Sequence, residues 1–287
     1  MRVGGLFVLY DADFELFNDV LMPIYDQVDE ICIVDNSSLD NTLKILFLPT
    51  VKYIPLYENK GIALAQNVGI KYFQKRNIDS ILFMDQDSTF PKNTINKLVD
   101  SLTFLLGLDV NVAAIGPSSF NRLTKKMYSF QEKKKDTILP VSNEIKECYA
   151  IMSSGSLVPI DNFDIVGFMN ESLFIDAVDY EWCWRAWNKC GMRSFVDLSV
   201  AIEHQLGSPG KFLWRDISVS SPMRLYYQFR NCIWLSKVSY TPTFWKLKVL
   251  RKYICKFLVY PIFFRPRISY LKSAIRGIID GLFGHMS

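Results

Sequence analysis

The sequence contains no C-x-x-C pair. Its six cysteines, Cys32, Cys148, Cys183, Cys190, Cys232 and Cys255, are scattered and mostly embedded in apolar runs. That excludes a small disulfide-stapled fold and favours reduced, buried thiols in a cytosolic setting over zinc ligation. Long hydrophobic runs are also missing: no stretch reaches the roughly 18 uninterrupted apolar residues of a membrane-crossing helix, and the nearest, Ile254 to Phe264, is broken by Lys256 and Pro261. The apolar start at Gly4–Leu9 is too short for a signal-peptide core and runs at once into Asp11 and Asp13, so it reads as a strand. Excess charge is slight. The 33 Lys and Arg exceed the 29 Asp and Glu by four, too few for wholesale nucleic-acid binding. Neither G-x-G-x-x-G nor G-x-x-x-x-G-K-S/T occurs, which leaves dinucleotide-oxidoreductase and P-loop readings without support.

Apolar material is plentiful. At 287 residues and 49% hydrophobic content, the chain can bury one large core with an appendage. Through the first 120 residues short β-prone runs alternate with amphipathic stretches. Strands are expected at Val3–Tyr10, Glu30–Val34, Lys52–Leu56, Ser80–Met84 and Val112–Gly116, and helices at Phe14–Tyr25, Leu39–Phe47, Ile62–Gln74 and Thr94–Leu105. This rhythm predicts an α/β fold, a mostly parallel, doubly wound sheet with helices on both faces. Asn121–Glu147, with Lys125, Lys126 and Lys133–Lys135, reads as an exposed loop or hairpin. Tyr149–Pro159 reads as a strand, Asp179–Cys190 as a helix, Arg193–Val196 as a strand and His204–Gly210 as a loop, with helices from Pro222 onward.

Ligands of such sheets bind beyond the carboxyl ends of the strands. There the run Ile81–Met84 delivers Asp85-Gln86-Asp87-Ser88, two carboxylates one residue apart, suited either to a hard divalent cation and diphosphate oxygens or to a capped turn. Ile31–Val34 delivers Asp35-Asn36-Ser37, where Asp35 can accept from a base imide or a ribose hydroxyl, or simply hold the turn. Asn59-Lys60-Gly61 leads into a helix of small residues with Asn67, an economy of volume that close backbone approach to a ligand needs. Downstream, Asp176, Asp179 and Glu181 crowd beside Trp182 and Arg185. Asp179 stands at a helix start, placed to act as general base or as a cap. His204 is one of two histidines and is either a packed residue or a metal or pyrophosphate ligand.

In order and spacing these motifs, together with Ser154-Gly155-Ser156, His204-Gln205-Leu206-Gly207 and Tyr226–Asn231, resemble family 2 inverting glycosyltransferases of the GT-A fold across residues 3–235. The Asp-Gln-Asp-Ser and Asp-x-Glu-Trp-Cys forms are similar to the bacterial rhamnosyltransferase branch. The resemblance implies a GT-A domain over 1–240, with a nucleotide-sugar half at 1–120 and an acceptor half at 121–240. It implies Asp179 as catalytic base; Tyr10, Asp35, Asn59, Lys60, Gly61, Asn67, Asp85, Gln86 and Arg230 at the donor; and Ser154, Gly155, Asp176, Glu181, Trp182 and Arg185 at the acceptor. Asp87 and His204 would hold Mg²⁺ or Mn²⁺. Two positions depart from the family pattern. Asp11 follows Tyr10 where relatives carry Asn, and Val178 precedes Asp179 where many carry Glu, leaving Asp176 as a competing base.

The activity so implied moves L-rhamnose from dTDP-β-L-rhamnose to a polyprenyl-diphosphate-linked saccharide for O-antigen or a related surface polysaccharide. The alternatives are another UDP- or dTDP-sugar, or a non-catalytic nucleotide-sugar-binding membrane scaffold. Residues 241–287 mix cations with apolar and aromatic side chains, and Leu247, Leu250 and Ile254 share one helical face. Such a tail suits the cytoplasmic membrane surface, which would place the enzyme at its inner face, and suits equally the core or a second copy in a homodimer.

Overall fold

The computed structural model describes residues 1–45, 48–121, 127–128, 130, 144–204, 208–212 and 215–286, without the side chains of 204, 208–212 and 215–218. Among these, the first half is built of β1 (Val3–Leu9), α1 (Phe14–Tyr25), β2 (Glu30–Asp35), β3 (Val51–Pro55), α2 (Ile62–Phe73), β4 (Ser80–Asp85), α3 (Thr94–Gly107) and β5 (Val112–Asn121). Then come β6 (Ile145–Cys148), β7 (Leu157–Pro159), the short α4 (Asn162–Ile165), α5 (Val178–Cys190) and β8 (Arg193–His204). A hairpin of β9 (Ser208–Phe212) and β10 (Arg215–Val219) leads to three helices, α6 (Pro222–Lys237), α7 (Thr243–Phe263) and α8 (Arg267–Phe283).

Eight strands form one mixed sheet in the order β3-β2-β1-β4-β7-β5-β8-β6. The first four run parallel. β7 enters antiparallel between β4 and β5, β8 is parallel to β5, and β6 closes the edge antiparallel. Two apolar layers cover the faces: Phe17, Leu21 and Ile24 of α1 with Leu98 and Leu102 of α3 on one side, and Ala63, Ile70 and Phe73 of α2 with Trp182 and Trp184 of α5 on the other. Chain order reverses between β1 and β4, so a crevice opens at the carboxyl edge between them. Register places Leu9 of β1 beside Asp35 and Val8 beside Asp85. The acids after two separate runs therefore flank one strand end.

Several sequence expectations are corrected. Of the expected helix Leu39–Phe47 only a single turn at Thr42–Lys44 forms, residues 46–47 lying outside the described ones. The reason is local: the Asp40 carboxylate accepts from the Thr42 amide and hydroxyl, an Asx turn that competes with the helix. In Tyr149–Pro159 only the last three residues are strand, because Ser156 turns back to bond the Ser153 carbonyl. Within Asn121–Glu147 the ends are strand, Asn121 in β5 and Ile145–Glu147 in β6, while the lysines at 125, 126 and 133–135 lie outside the described residues. His204–Gly210 is not simply a loop, since His204 ends β8 and Ser208 begins β9.

The helices after β10 form a third cluster in which Leu225 and Phe229 of α6 meet Tyr260, Tyr270 and Ala274 of α7 and α8. α8 lies so close to α6 that a Cβ on Gly277 would fall 2.4 Å from the Tyr226 carbonyl oxygen. α6, on one side of residue 240, thus packs against α7 and α8 on the other. α7 also rests on the sheet layer, Trp245 against Trp184 and Phe244 against Tyr149.

Candidate active site

The crevice starts from the sheet edge. Gln86 follows Asp85 and clips the ends of β4 and β1 together, its side-chain oxygen accepting from the Tyr10 amide at 2.8 Å and its NH₂ reaching the Tyr10 carbonyl at 3.3 Å. The Tyr10 ring is exposed there. Asp35 is fully buried. It accepts from the Ser37 amide, the Asn41 amide group and the Tyr53 hydroxyl, so its carboxylate holds the turn rather than facing the crevice. That turn aims Asn36, whose side chain accepts from the Lys60 amide at 2.8 Å and donates to the Asn59 oxygen at 3.0 Å. Asn59–Gly61 is thereby pinned beside the β2 end. Lys60 pairs with Glu58 at the surface. Gly61 has φ +86°, and a Cβ there would meet the Phe174 ring and carbonyl within 2.7 Å.

Opposite this edge stands Asp179, in the first turn of α5 and partly open to solvent. One carboxylate oxygen accepts from the Ser153 amide and the other from the Tyr180 amide, both at 2.9 Å. Burial pushes its pKa up to about 6. The two amides pull the other way, and the nearby negative charge of Asp85 adds to the rise. The connection to Asp87 is short: Ser88 meets Ser154 hydroxyl to hydroxyl at 2.7 Å, one residue from the amide that holds Asp179. Asp85 and Asp179 thus meet at one edge, with Asp87 two residues on from Asp85.

Three non-glycine residues before α5 have left-handed backbone: Phe174 (φ +64°), Asp176 (φ +67°) and Ala177 (φ +64°). Each such residue costs about 1–3 kcal/mol and persists only where its surroundings over-determine it. Here they do. The Asn231 amide of α6 donates to the carbonyls of Leu173, Ile175 and Asp176 at 2.8–3.1 Å. Arg230 donates to the Ser172 and Leu173 carbonyls. The Phe174 carbonyl caps α2 by accepting from the Ile62 amide, and its ring stacks on Tyr227 at 4.4 Å. Asp176 forms an ion pair with Arg224, which donates from Nε to both carboxylate oxygens and from Nη2 at 2.8 Å.

Other expected site residues lie elsewhere. Asn67 is buried, exchanging hydrogen bonds with the Met169 backbone and Glu171, and joins α2 to the 169–171 segment instead of a donor. Glu181 and Trp182 have 0% and 1% exposure. Glu181 is paired with Arg185 and accepts from Tyr240, Arg185 also serves the Val166 and Phe168 carbonyls, and Trp182 donates to the Gly167 carbonyl. This satisfied buried pair braces α5 from behind and offers no acceptor surface. Ser154 and Gly155 are buried, Ser154 against the Ser88 hydroxyl and Gly155 against Pro117 and Phe90, and Arg230 is a clamp. His204 ends β8, but its side chain, with Gln205–Gly207, lies outside the described residues.

The sequence assigned no role to Ser153 or Arg224, and Asn231 entered only as the end of the Tyr226–Asn231 motif. Arg224 had a readable signal, since a cation in the first turn of a helix opposes the dipole and needs an acid partner. Asn231, a poor helix former in the middle of α6, had another. Among the described residues no three His, Cys, Asp or Glu side chains form a metal cage. One or two carboxylates completed by substrate phosphates and water are the usual way Mg²⁺ is held, and Asp85 and Asp87 fit that mode.

A family model described as "Glycosyl transferase family 2" matches residues 7–154, the span that carries the β1, β2 and β4 strand ends and reaches the turn anchoring Asp179. The chain belongs to glycosyl transferase family 2. The family 2 chain is 28% identical to the dTDP-rhamnosyl transferase RfbF of Shigella flexneri over 99% of its own length and 96% of that protein's. It is 24% identical to the low-salt glycan biosynthesis hexosyltransferase Agl10 of Haloferax volcanii, covering 89% and 83%. Among solved structures, S. aureus TarS 1-349 in complex with UDP-GlcNAc superposes with a TM-score of 0.58 at 15% identity, covering 98% of this chain and 81% of that one. GalNAc-T7 with UDP, GalNAc and Mn²⁺ gives 0.59 at 14% identity, covering 88% of this chain and about half, 54%, of the other. The fold of this glycosyltransferase is therefore GT-A.

Proposed function

We propose that this chain is an inverting rhamnosyltransferase that transfers L-rhamnose from dTDP-β-L-rhamnose to a saccharide carried on a polyprenyl diphosphate, in O-antigen or related surface polysaccharide synthesis. The observation that carries the reaction type is Asp179, a carboxylate tuned to about pH 6 across one edge from Asp85 and Asp87. The donor sugar rests on the nearly full-length similarity to a dTDP-rhamnosyl transferase.

In this reading the donor lies along the edge from the Asn59–Gly61 turn past Tyr10 and Gln86 to Asp85. Asp87 and Asp85 would hold Mg²⁺ or Mn²⁺, which when bound would supply positive charge against the diphosphate leaving group. Asp179 spends one lone pair of each oxygen on an amide N–H and keeps another to accept the acceptor's hydroxyl proton. The acceptor oxygen bonds to the anomeric carbon as the carbon–phosphate oxygen bond breaks on the opposite face, so configuration inverts and dTDP leaves. A positioned base contributes about 10²–10⁴-fold.

The enzyme works at a membrane surface in this proposal. Residues 241–287 hold nine of the 33 Lys and Arg and one acid, Asp280. Leu247, Leu250, Ile254 and Leu258 of α7 and Ile268, Ile275 and Ile279 of α8 are exposed, while no helix among the described residues is long and apolar enough to cross a bilayer. Apolar stripes among cations suit the headgroup region of anionic lipid at the cytoplasmic face.

The test is a panel of UDP- and dTDP-sugars with Mg²⁺ or Mn²⁺, scored for release of nucleoside diphosphate. dTDP-β-L-rhamnose is expected to be the donor turned over. Turnover of a different sugar alone overturns the donor assignment, and binding without any turnover overturns the enzyme in favour of a scaffold.

A further inference from the structure

On α7, Lys248, Lys252 and Lys256 recur every fourth residue and so share a face. Like charges at this spacing repel and weaken a helix. Neutralisation from outside the helix is meagre: Lys252 and Lys256 sit close enough to Asp176 and Arg224 to interact with both, yet Asp176 is already engaged by Arg224. Lys252 has no hydrogen-bond or ion-pair partner among the described residues. Lys256 is aimed by neutral groups, donating to Gln228 at 2.6 Å. Burial and the charge of Lys252 hold its ammonium down to about 7, a strain that a bound anion would relieve. Arg224 feels Asp85 as well as Asp176, so the cations border the crevice on the side of the strained 174–177 segment.

We infer that Arg224, Lys252 and Lys256, with Lys248 at the rim, form a subsite for the diphosphate of the prenyl-linked acceptor, separate from the donor's diphosphate at Asp85 and Asp87. Several cations around one small volume match a group carrying two or more negative charges, and hydrogen bonds to charged groups are the strong ones. The same helix carries the apolar stripe, which lets one element meet both the lipid and its charged head. This inference rests on the acceptor class proposed above.

The experiment is calorimetric titration of the full chain with farnesyl diphosphate, farnesol and dTDP. The unaltered protein is expected to bind farnesyl diphosphate more tightly than farnesol. K252A/K256A is expected to lose at least about tenfold in farnesyl diphosphate affinity and less than twofold for dTDP, with K252R/K256R keeping most of it. If the double variant fails to fold by circular dichroism, K252A alone, at an exposed position, should still show a severalfold loss. Unchanged farnesyl diphosphate affinity overturns the subsite. An equal loss for dTDP also overturns it, assigning the cations to the donor. A protein that releases dTDP from donor but ignores farnesyl diphosphate sinks this inference and leaves the transferase standing, whereas one that binds no dTDP sinks the transferase reading itself.

Discussion

The two walls of the crevice are held by different physics. On the donor wall, Asp85 and the Asp35 turn are set by parallel register: six paired positions between β1 and each neighbour fix where the strands end. On the opposite wall, Asp179 follows a segment with three left-handed residues in four, held by side chains of α6 and by the Ile62 amide at the start of α2. A ladder distributes its hold over many backbone bonds, while a clamp concentrates it in a few amides. Point substitutions should therefore separate the walls, one losing turnover while the other keeps the nucleotide.

The largest effect is expected at the base. Asp179→Asn should lower kcat by at least about 10³-fold while dTDP-rhamnose binding by calorimetry stays within twofold; a parallel loss of binding would merge the two walls. Asp87→Ala should do the reverse, weakening metal-dependent donor affinity by about tenfold or more. Asn231→Ala takes one donor from each of three carbonyls, Leu173 keeping Arg230 as another, and should cost about 2–3 kcal/mol of stability. It should also lower kcat about tenfold at unchanged dTDP affinity, measured by thermal melting beside kinetics. A clamp that merely stabilises would shift the melt and spare kcat.

The pH dependence sharpens the same contrast. Asp179 is raised to about 6 in the folded chain from near 4 in an unfolded one, so between these values the folded state holds the proton more tightly. Stability from this group is present below about pH 4 and falls as pH rises through that window. Activity moves oppositely, rising with an apparent pKa near 6 as the base ionises. The smallest effect belongs to the outer face of the tail: L250D/I254D should abolish co-sedimentation with anionic liposomes yet leave turnover of a water-soluble acceptor within twofold.

The donor wall was readable in the sequence because strand ends and the residues after them are local facts. Asp85, Gln86 and Asp87 follow a run of buried apolar residues, and the parallel rhythm places them. The proposed base was readable too, as an acid at a helix start. What surrounds it was not. Glu181, Trp182 and Arg185 are adjacent to Asp179 in sequence, but helical rotation turns them into the core, where they answer to Tyr240 and the Val166 and Phe168 carbonyls. The hold of Asn231 on Asp176 spans 55 residues, a contact no local pattern announces. Leu39 and Leu43 imitate a helical stripe, yet both are exposed, because the Asx turn at Asp40 settles the backbone first.

The central claim is that Asp85 and Asp179 face each other across one crevice and feel each other's charge. Carboxyl-carbon NMR titration of Asp179, in the unaltered protein and in Asp85→Asn, measures this directly. The account predicts titration near pH 6 that moves downward when Asp85 loses its charge; titration near the ordinary aspartate value of about 4, indifferent to that substitution, would contradict it.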